Sequence, residues 1–330
     1  MTHMPANTGK VSIIMNCYNS DRYLAEALES VLAQIYQEWE LIFWDNGSTD
    51  ASGKIAREYA KNEKRIRYFH TQDTVSLGEA RNKALEQARG DFITFLDCDD
   101  LWLPVKLQSQ VRIFMEYQDT DFIYSNFLVL GQDDCKPAYG LAEMLPSGAI
   151  TGSLLTKYRL NLQTVIFRRT LLTDQAEWFD PALELCEEME LFLRMSLTGK
   201  FCYQKEPLVK YRVHGNQLTV RKFDRFYEER AYILAKLKRT REGFVSTYET
   251  EIWAYNATML FDKSSDYVLQ GRRREAIGLL AEFRFSTLKL FIAYLLAHFP
   301  IRYYLVLSKL VGRGFLVERY AYLQEIGQTR

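Results

Sequence analysis

The order of the local sequence patterns in the first hundred residues constrains the fold more than any other feature of this chain. Four short runs rich in β-branched and aromatic residues predict strands at Val11–Met15, Trp39–Trp44, Ile66–His70 and Phe92–Leu96. The segments between them predict helices at Asp21–Gln34, Asp50–Lys61 and Ser76–Arg89. Such an alternating order is typical of an α/β protein with a mainly parallel, doubly wound (Rossmann-like) sheet and helices on both faces.

Polar residues cluster where three of these predicted strands end. The clusters are Asn16–Asn19, Asp45–Ser48 and Asp97–Asp100. The carboxyl ends of parallel strands meet at one edge of a sheet, and ligands of doubly wound proteins bind outside that edge. We therefore expect a ligand site that is built from these three clusters.

The third cluster is the most informative, because it places Asp97, Asp99 and Asp100 within four residues. Carboxylates this close repel each other unless a cation or several hydrogen-bond donors compensate their charge. Their oxygens are hard ligands that suit Mg²⁺ or Mn²⁺, which proteins commonly share with substrate phosphates. A solvated acidic turn is the alternative. The apolar strand before the cluster and the two other strand-end clusters favour a metal site.

The chain changes character at about residue 220. Before that point the patterns include a strand at Phe122–Leu130 and a helix at Glu187–Leu197, whereas the later part is helical in pattern. Acidic residues outnumber basic ones before Arg221, and from Arg221 onward there are 19 basic and 12 acidic side chains. We therefore expect an α/β domain at residues 1–220 and a helical region at residues 221–330.

The overall composition excludes several classes of protein. The chain carries 42 basic and 42 acidic side chains, which argues against a nucleic-acid-binding protein. Its five cysteines include no CxxC pair, so we expect a reduced, cytoplasmic protein without disulfides or a zinc site. The N-terminal residues lack the apolar core of a signal peptide, and no apolar run has the length of a transmembrane helix.

The segment Arg284–Arg313 combines five basic residues with many aromatic and aliphatic ones and contains no acidic residue. This composition fits a helix that lies at an anionic membrane surface, here the inner face of the cell membrane. Packing against the first domain, or against a second subunit in an oligomer, would explain the same pattern. Both interpretations stay open at this point.

Four stretches carry a resemblance to a known family: Val11–Asn19, Trp44–Asp50, Gly78–Asn82 and Gly90–Asp100. Together with Glu187-Glu188 and His214, they stand in the order and approximate spacing of family 2 glycosyltransferases, which have the GT-A fold. Each stretch is weak evidence alone, but jointly they are specific. About two-thirds of the chain resembles this family, which implies that residues 1–220 form the catalytic domain of a hexosyl-type glycosyltransferase.

The resemblance implies a role for each cluster. Tyr18 would stack on a pyrimidine and Asp45 would accept a hydrogen bond from its N3–H, while Arg81 would neutralise the diphosphate or hold Asp97. Asn46 stands where the family often has a second acid. The implied nucleotide-binding set is Asn16, Tyr18, Asn19, Asp45, Asn46, Gly78, Arg81 and Asp97. The implied ligands of Mn²⁺ or Mg²⁺ are Asp99, Asp97 and His214.

Two adjacent acids, Glu187 and Glu188, begin a predicted helix, where acidic residues also interact favourably with the helix dipole. The family has an acid pair here whose second member is the general base. This implies Glu188 as the catalytic base, with Glu187 and Glu190 as alternatives. The second acid of the family is usually aspartate, so Glu188 reaches one methylene further.

The implied reaction is a metal-dependent, inverting transfer of one sugar from a nucleoside diphosphate sugar, with UDP the first choice. The acceptor would be a hydroxyl of a glycan or polyprenyl-linked saccharide in surface polysaccharide synthesis. The Gln-x-x-Arg-Trp signature of processive members is absent, because the stretch Gln217-Leu218-Thr219-Val220-Arg221 is followed by Lys222. The alternatives are a nucleotide-sugar-binding module without chemistry and a nucleotidyltransferase, which normally has a Gly-rich triphosphate loop that this chain lacks.

Overall fold

The computed structural model describes residues 9–130, 135–137, 144–173, 175, 177–214, 218–283, 288–298, 301–310 and 324. These residues divide into two compact units. The first comprises the described residues within Met1–Leu154 and Tyr158–Val213, and the second comprises those within Leu155–Lys157 and His214–Arg330.

One mixed sheet forms the centre of the first unit. The strands that the structure describes are β1 (Val11–Cys17), β2 (Trp39–Asp45), β3 (Ile66–His70), β4 (Phe92–Phe95), β5 (Leu101–Trp102), β6 (Phe122–Leu130), β7 (Cys135–Pro137), β8 (Ile166–Arg168) and β9 (Phe201–Arg212). Their order is β3-β2-β1-β4-β8-β6-β9-β5, with β7 paired to β6. The first four strands run parallel, as predicted, whereas β8 is antiparallel to β4 and β6. The α/β architecture is thereby confirmed.

Helices connect these strands. They are α1 (Asp21–Leu32), α2 (Ser52–Asn62), α3 (Leu77–Leu85), α4 (Lys106–Glu116), α5 (Thr151–Thr156), α6 (Thr170–Thr173) and α7 (Glu187–Ser196), and a 3₁₀ helix spans Leu162–Thr164. Apolar residues at helical spacing bury one face of α1, namely Leu24, Ala27, Leu28 and Val31. Helix α1 therefore forms where the spacing of its apolar residues predicts it, because that spacing gives the helix one buried face.

Strand β9 is longer than its sequence pattern indicates. The apolar pattern predicts two strands, at Phe201–Tyr203 and at Leu208–Val213, because Gln204–Glu206 is polar. In the structure one strand runs through this segment and pairs with β6 in a register that shifts around Asn126. Backbone pairing therefore continues where the side-chain pattern is interrupted.

The second unit is helical, which confirms the predicted helical C-terminal region. Its helices are α8 (Leu218–Arg221), α9 (Phe223–Thr240), α10 (Phe244–Thr247), α11 (Glu249–Leu269), α12 (Arg273–Phe283), α13 (Leu288–Leu296) and α14 (Ile301–Leu310). The sequence pattern predicts a break near residues 262–264, but α11 continues to Leu269. Ser264 and Ser265 are buried and donate hydrogen bonds to the Phe261 carbonyl, so they do not interrupt the helix. The break falls at Gly271, whose φ is +77°.

The membrane-surface hypothesis for Arg284–Arg313 receives no test here. Residues 284–287, 299–300 and 311–313, together with the side chains of Lys289, Arg302 and Lys309, lie outside the described residues. Within the part of the chain that the structure describes, no helix combines the length and the apolar composition needed to cross a bilayer.

A buried lysine joins α4 to the centre of the sheet. Lys106 is inaccessible to solvent, and its Nζ donates to Thr94 Oγ1 at 3.2 Å and to Gln110 Oε1 at 2.8 Å. The ammonium group also lies 4.2 Å from the centre of the Trp102 ring. These partners are neutral, and burial lowers the pKa of Lys106 well below its usual value.

We expect the substitution Lys106→Met to change how stability depends on pH. Below a pH of about 10.4 the unfolded chain protonates this lysine more readily than the folded chain does. The contribution of Lys106 to the free energy of unfolding therefore rises with pH, by at most about 1.4 kcal/mol per pH unit. In urea unfolding at pH 7, 8 and 9, the free energy of unfolding of wild type should rise steadily relative to that of Lys106→Met.

The matched control is Lys200→Met, because Lys200 is exposed and pairs with Asp119 at 2.8 Å. Its effect on the free energy of unfolding should stay constant over the same pH range. A constant difference for Lys106→Met as well would show that Lys106 is charged in the folded protein.

Candidate active site

Three carboxylates converge directly after β4. Oxygen atoms of Asp97, Asp99 and Asp100 lie within 4.8 Å of one another. The family resemblance implies Asp99, Asp97 and His214 as metal ligands, and the structure groups the first two with Asp100, the third acid of the strand-end cluster. Asp100 is buried, while the side chain of Asp97 is 38% exposed to solvent. The loop therefore presents a compact set of carboxylate oxygens.

The two oxygens of Asp100 have different surroundings. Oδ1 accepts a hydrogen bond from the Arg212 backbone N–H at 2.7 Å, whereas Oδ2 is buried and has no hydrogen-bond partner. Burial, together with repulsion from Asp99, raises the pKa of Asp100 well above its usual value. A buried carboxylate oxygen without a donor calls for a cation or a ligand. The donor set and this oxygen fit a Mg²⁺ or Mn²⁺ ion.

Asp97 is held from two sides. Gln163 Nε2 donates to Asp97 Oδ2 at 2.7 Å, and Arg81 approaches Oδ1 at 3.5 Å. Gln163 is buried in the 3₁₀ helix, and its Oε1 also has no hydrogen-bond partner. No sequence motif marks Gln163, because it is a single glutamine between Leu162 and Thr164.

Arg81 on α3 pairs with acids from two parts of the chain, the loop after β4 and the start of α7. Its guanidinium forms an ion pair with Glu187 and lies 4.0 Å from Glu188 Oε2, in addition to its contact with Asp97. Arg81 is buried, so these charges interact with little screening from water. The acids after β4 and the acids that begin α7 therefore lie close together around one guanidinium group.

The glutamates of α7 differ in their environment. Glu187 is buried, and burial raises its pKa while Arg81 acts in the opposite direction. Glu190 is buried too, and both of its oxygens accept hydrogen bonds from Arg194, at 2.7 and 2.8 Å. The side chain of Glu188, in contrast, is 25% exposed. Of the three candidates for a catalytic base, Glu188 is the one whose side chain is partly exposed to solvent.

The loops after β1 and β2 are joined at the predicted base-binding position. Asn19 adopts a φ of +48°, and its Oδ1 accepts a hydrogen bond from the Thr49 backbone N–H at 2.8 Å. The Tyr18 side chain next to it is 52% exposed, which leaves its ring available for stacking. Asn16 Nδ2 is buried and has no hydrogen-bond partner. These positions are compatible with the predicted nucleotide contacts.

Asp45 and Asn46 are engaged in contacts within the protein. Asp45 is buried, and its oxygens accept hydrogen bonds from the Tyr68 hydroxyl at 2.7 Å and from the Ser48 backbone N–H at 2.8 Å. The amide of Asn46 exchanges hydrogen bonds with the Val75 backbone, at 2.9 and 3.2 Å. Both side chains thus hold neighbouring loops, and their contact with a base stays a prediction.

Two further site residues need comment. Gly78 lies against the protein's own backbone, because an added Cβ would come within 3.0 Å of the Asp180 carbonyl oxygen. Its close approach is therefore to residue 180, and an approach to a diphosphate stays a prediction. His214 begins the second unit and is not part of the carboxylate group, so its role as a metal ligand also stays a prediction.

Known glycosyltransferases resemble this chain in sequence. The family model "Glycosyl transferase family 2" matches residues 12–141. TuaG of Bacillus subtilis, whose name assigns it to teichuronic acid biosynthesis, is 37% identical over 216 residues, which cover 64% of this chain and 82% of TuaG. The Escherichia coli UDP-Glc:alpha-D-GlcNAc-diphosphoundecaprenol beta-1,3-glucosyltransferase WfgD is 32% identical over 162 residues, or 49% of this chain and 61% of WfgD.

Solved structures show the same fold. The crystal structure of Staphylococcus aureus TarS 1-349 in complex with UDP-GlcNAc aligns with a TM-score of 0.67 and 17% identity, covering 97% of this chain and 92% of TarS 1-349. The mannosyltransferase PcManGT from Pyrobaculum calidifontis, in complex with GDP-Man and Mn²⁺, aligns with a TM-score of 0.59 and 15% identity, covering 95% of this chain and 86% of PcManGT.

The fold is that of a GT-A glycosyltransferase. The chain belongs to glycosyltransferase family 2. The predicted family, fold class and glycosyltransferase activity are thereby confirmed.

We expect Arg81→Met to destabilise the protein by about 3–5 kcal/mol, because it leaves Glu187 buried without its partner. In the double variant Arg81→Met/Glu187→Met, the unpaired charge is also gone, so most of this loss should be recovered. Urea titrations of wild type, Arg81→Met, Glu187→Met and the double variant would give four free energies of unfolding. Together these yield the coupling free energy between Arg81 and Glu187. If the loss in the double variant equals the sum of the losses in the two single variants, the coupling is zero and the ion pair contributes little.

Proposed function

We propose that this chain is a divalent-cation-dependent, inverting glycosyltransferase that adds one sugar per encounter. The donor is a nucleoside diphosphate sugar, with UDP the first choice, and the acceptor is a hydroxyl of a glycan or lipid-linked saccharide. The observation that supports this most directly is the pairing of Arg81 with both Asp97 and the Glu187-Glu188 pair. It brings together the acids suited to a diphosphate-bound cation and the acids suited to proton transfer.

Asp97, Asp99 and Asp100 would hold Mg²⁺ or Mn²⁺. When bound, such an ion acts as a Lewis acid and offsets the negative charge that builds on the departing diphosphate. Gln163 and Arg81 keep the Asp97 carboxylate in place for this task. The Mn²⁺ that accompanies GDP-Man in the PcManGT complex supports the choice of ion by fold analogy.

Glu188 would take the proton from the acceptor hydroxyl as that oxygen attacks the anomeric carbon. Its partial exposure at the start of α7 supports this role, whereas Glu187 is buried against Arg81 and Glu190 against Arg194. Glu187 then acts as a positioning residue, because it anchors Arg81. Attack from the face opposite the leaving group inverts the anomeric centre and needs no covalent sugar–enzyme intermediate.

Asn16 and Tyr18 would contact the nucleotide. Asn16 has a buried amide nitrogen without a hydrogen-bond partner, and Tyr18 presents an exposed ring close to it in the chain. TarS has been solved with UDP-GlcNAc and with UDP, and WfgD is named for UDP-Glc. These relatives support UDP as the nucleotide of the donor.

The acceptor is proposed from the names of the relatives. WfgD is named for a diphosphoundecaprenol-linked acceptor, and TuaG for teichuronic acid biosynthesis. A polyprenyl-linked acceptor lies at a membrane, so residues 221–330, with their excess of basic side chains, would serve as the membrane-surface or oligomer contact of a catalytic domain at residues 1–220.

We expect Glu188→Gln to lower kcat by about 10²- to 10⁴-fold with little change in the KM of the donor, because the amide retains the shape of the carboxylate but cannot accept the proton. The measurement is the release of UDP in the presence of a working acceptor. Asp119→Asn is the matched control, since Asp119 is an exposed carboxylate that pairs with Lys200. Wild-type kcat in Glu188→Gln would exclude Glu188 as the base.

Incubation with labelled nucleotide sugars should transfer label to a short-chain polyprenyl-diphosphate saccharide, with UDP-sugars preferred over GDP-sugars. Because the reaction inverts, an α-linked donor should yield a β-linked product, which NMR of the product distinguishes. A product with retained configuration would exclude the proposed mechanism. Tight binding of UDP-sugars without transfer to any acceptor would instead support a binding module.

A further inference from the structure

One arginine outside the predicted site contacts the carboxylate loop, which is the loop Asp97–Asp100 after β4. Arg212 lies at the end of β9, next to β5, which follows the loop directly and pairs with β9 in antiparallel register. The register joins Leu101 to Lys210 and Trp102 to Val209. Continued by two residues, it places Arg212 beside Asp99. The fold itself therefore brings this arginine to the loop.

Arg212 contacts the loop through both its backbone and its side chain. Its backbone N–H donates to Asp100 Oδ1 at 2.7 Å, and its guanidinium Nε donates to the Asp99 carbonyl oxygen at 2.9 Å. The first contact leaves Asp100 Oδ2 as the oxygen without a hydrogen-bond partner. The second contact fixes the peptide that carries the Asp99 side chain.

Helix α1 supports the other side of the Arg212 guanidinium. Its Nη2 donates to Glu26 Oε2 at 2.8 Å, and the group lies 4.1 Å from the centre of the Tyr23 ring. A guanidinium held by a carboxylate and an aromatic ring has little freedom to rotate. Its Nε–H group is therefore aimed at the Asp99 carbonyl before any ligand binds.

We propose that Arg212 is a positioning residue of the cation site, and that its side chain sets the orientation of Asp99. This inference rests on the proposed cation dependence. Three like charges in one loop separate if the backbone is free to move, whereas a peptide tied to β9 and α1 keeps them together. Residues that orient metal ligands typically change metal affinity by about 10- to 100-fold when they are replaced.

The test measures Mn²⁺ binding by electron paramagnetic resonance of the free ion, with and without UDP. We expect Arg212→Met to weaken Mn²⁺ binding by at least about tenfold. Arg212→Lys should weaken it to a similar degree, because one ammonium group cannot reach both Glu26 and Asp99 with the same geometry. Asp99→Asn provides the reference for loss of a ligand.

Arg65→Met is the matched control. Arg65 also pairs with a carboxylate, Glu63, at 2.7 Å and lies 3.8 Å from the centre of an aromatic ring, that of Trp39, but it has no contact with the loop. Arg65→Met should lower the melting temperature about as much as Arg212→Met while it leaves Mn²⁺ binding unchanged.

The outcomes separate the two proposals. Wild-type Mn²⁺ affinity in Arg212→Met or in Arg212→Lys would overturn the positioning role while the cation site stands. If Arg65→Met weakens Mn²⁺ binding as much as Arg212→Met does, general destabilisation explains the effect, and the positioning role is overturned as well. If the wild-type protein itself binds no Mn²⁺, with or without UDP, both the positioning role and the proposed cation dependence fail.

Discussion

The ion pairs of Arg81 are the interaction on which the site depends. A buried guanidinium is costly to remove from water, and this cost is offset only if carboxylates surround it. Arg81 meets this requirement with acids from two elements that are distant in sequence, the loop after β4 and the start of α7. The same charge that holds Glu187 in the interior therefore also fixes where Asp97 and Glu188 lie relative to each other.

The candidate site contains polar groups that the protein leaves unsatisfied. Among the described residues, buried polar atoms without hydrogen-bond partners include four from this site: Asn16 Nδ2, Asp100 Oδ2, Gln163 Oε1 and Glu187 Oε2. Each such atom costs stability in the free protein, and a ligand that supplies the missing partner recovers that cost on binding. Polar groups of this kind are what a site for a cation and a charged nucleotide requires.

Local patterns predicted much of the fold and part of the site. The strands β1 to β4 and the positions of Asp97, Asp99 and the Glu187-Glu188 pair follow from periodicity and from a family resemblance, both of which act within short stretches. Gln163 and Arg212 were missed, because each reaches the loop only through strand pairing or a 3₁₀ helix far away in sequence. The hydrogen bonds of Asp45 and Asn46 within the protein could not be predicted either, because their partners, Tyr68 and Val75, lie far away in sequence.

The contrast between Glu187 and Glu188 shows how one short motif places two acids in different environments. Consecutive residues of an α-helix point about 100° apart, so two adjacent acids cannot face the same environment. At the start of α7 one of them turns inward to Arg81 and the other outward to solvent. The inner carboxylate anchors the arginine, and this anchoring leaves the outer one near a positive charge without burying it. A glutamate in the outer position reaches one methylene further than an aspartate would, while the inner ion pair with Arg81 holds the start of the helix.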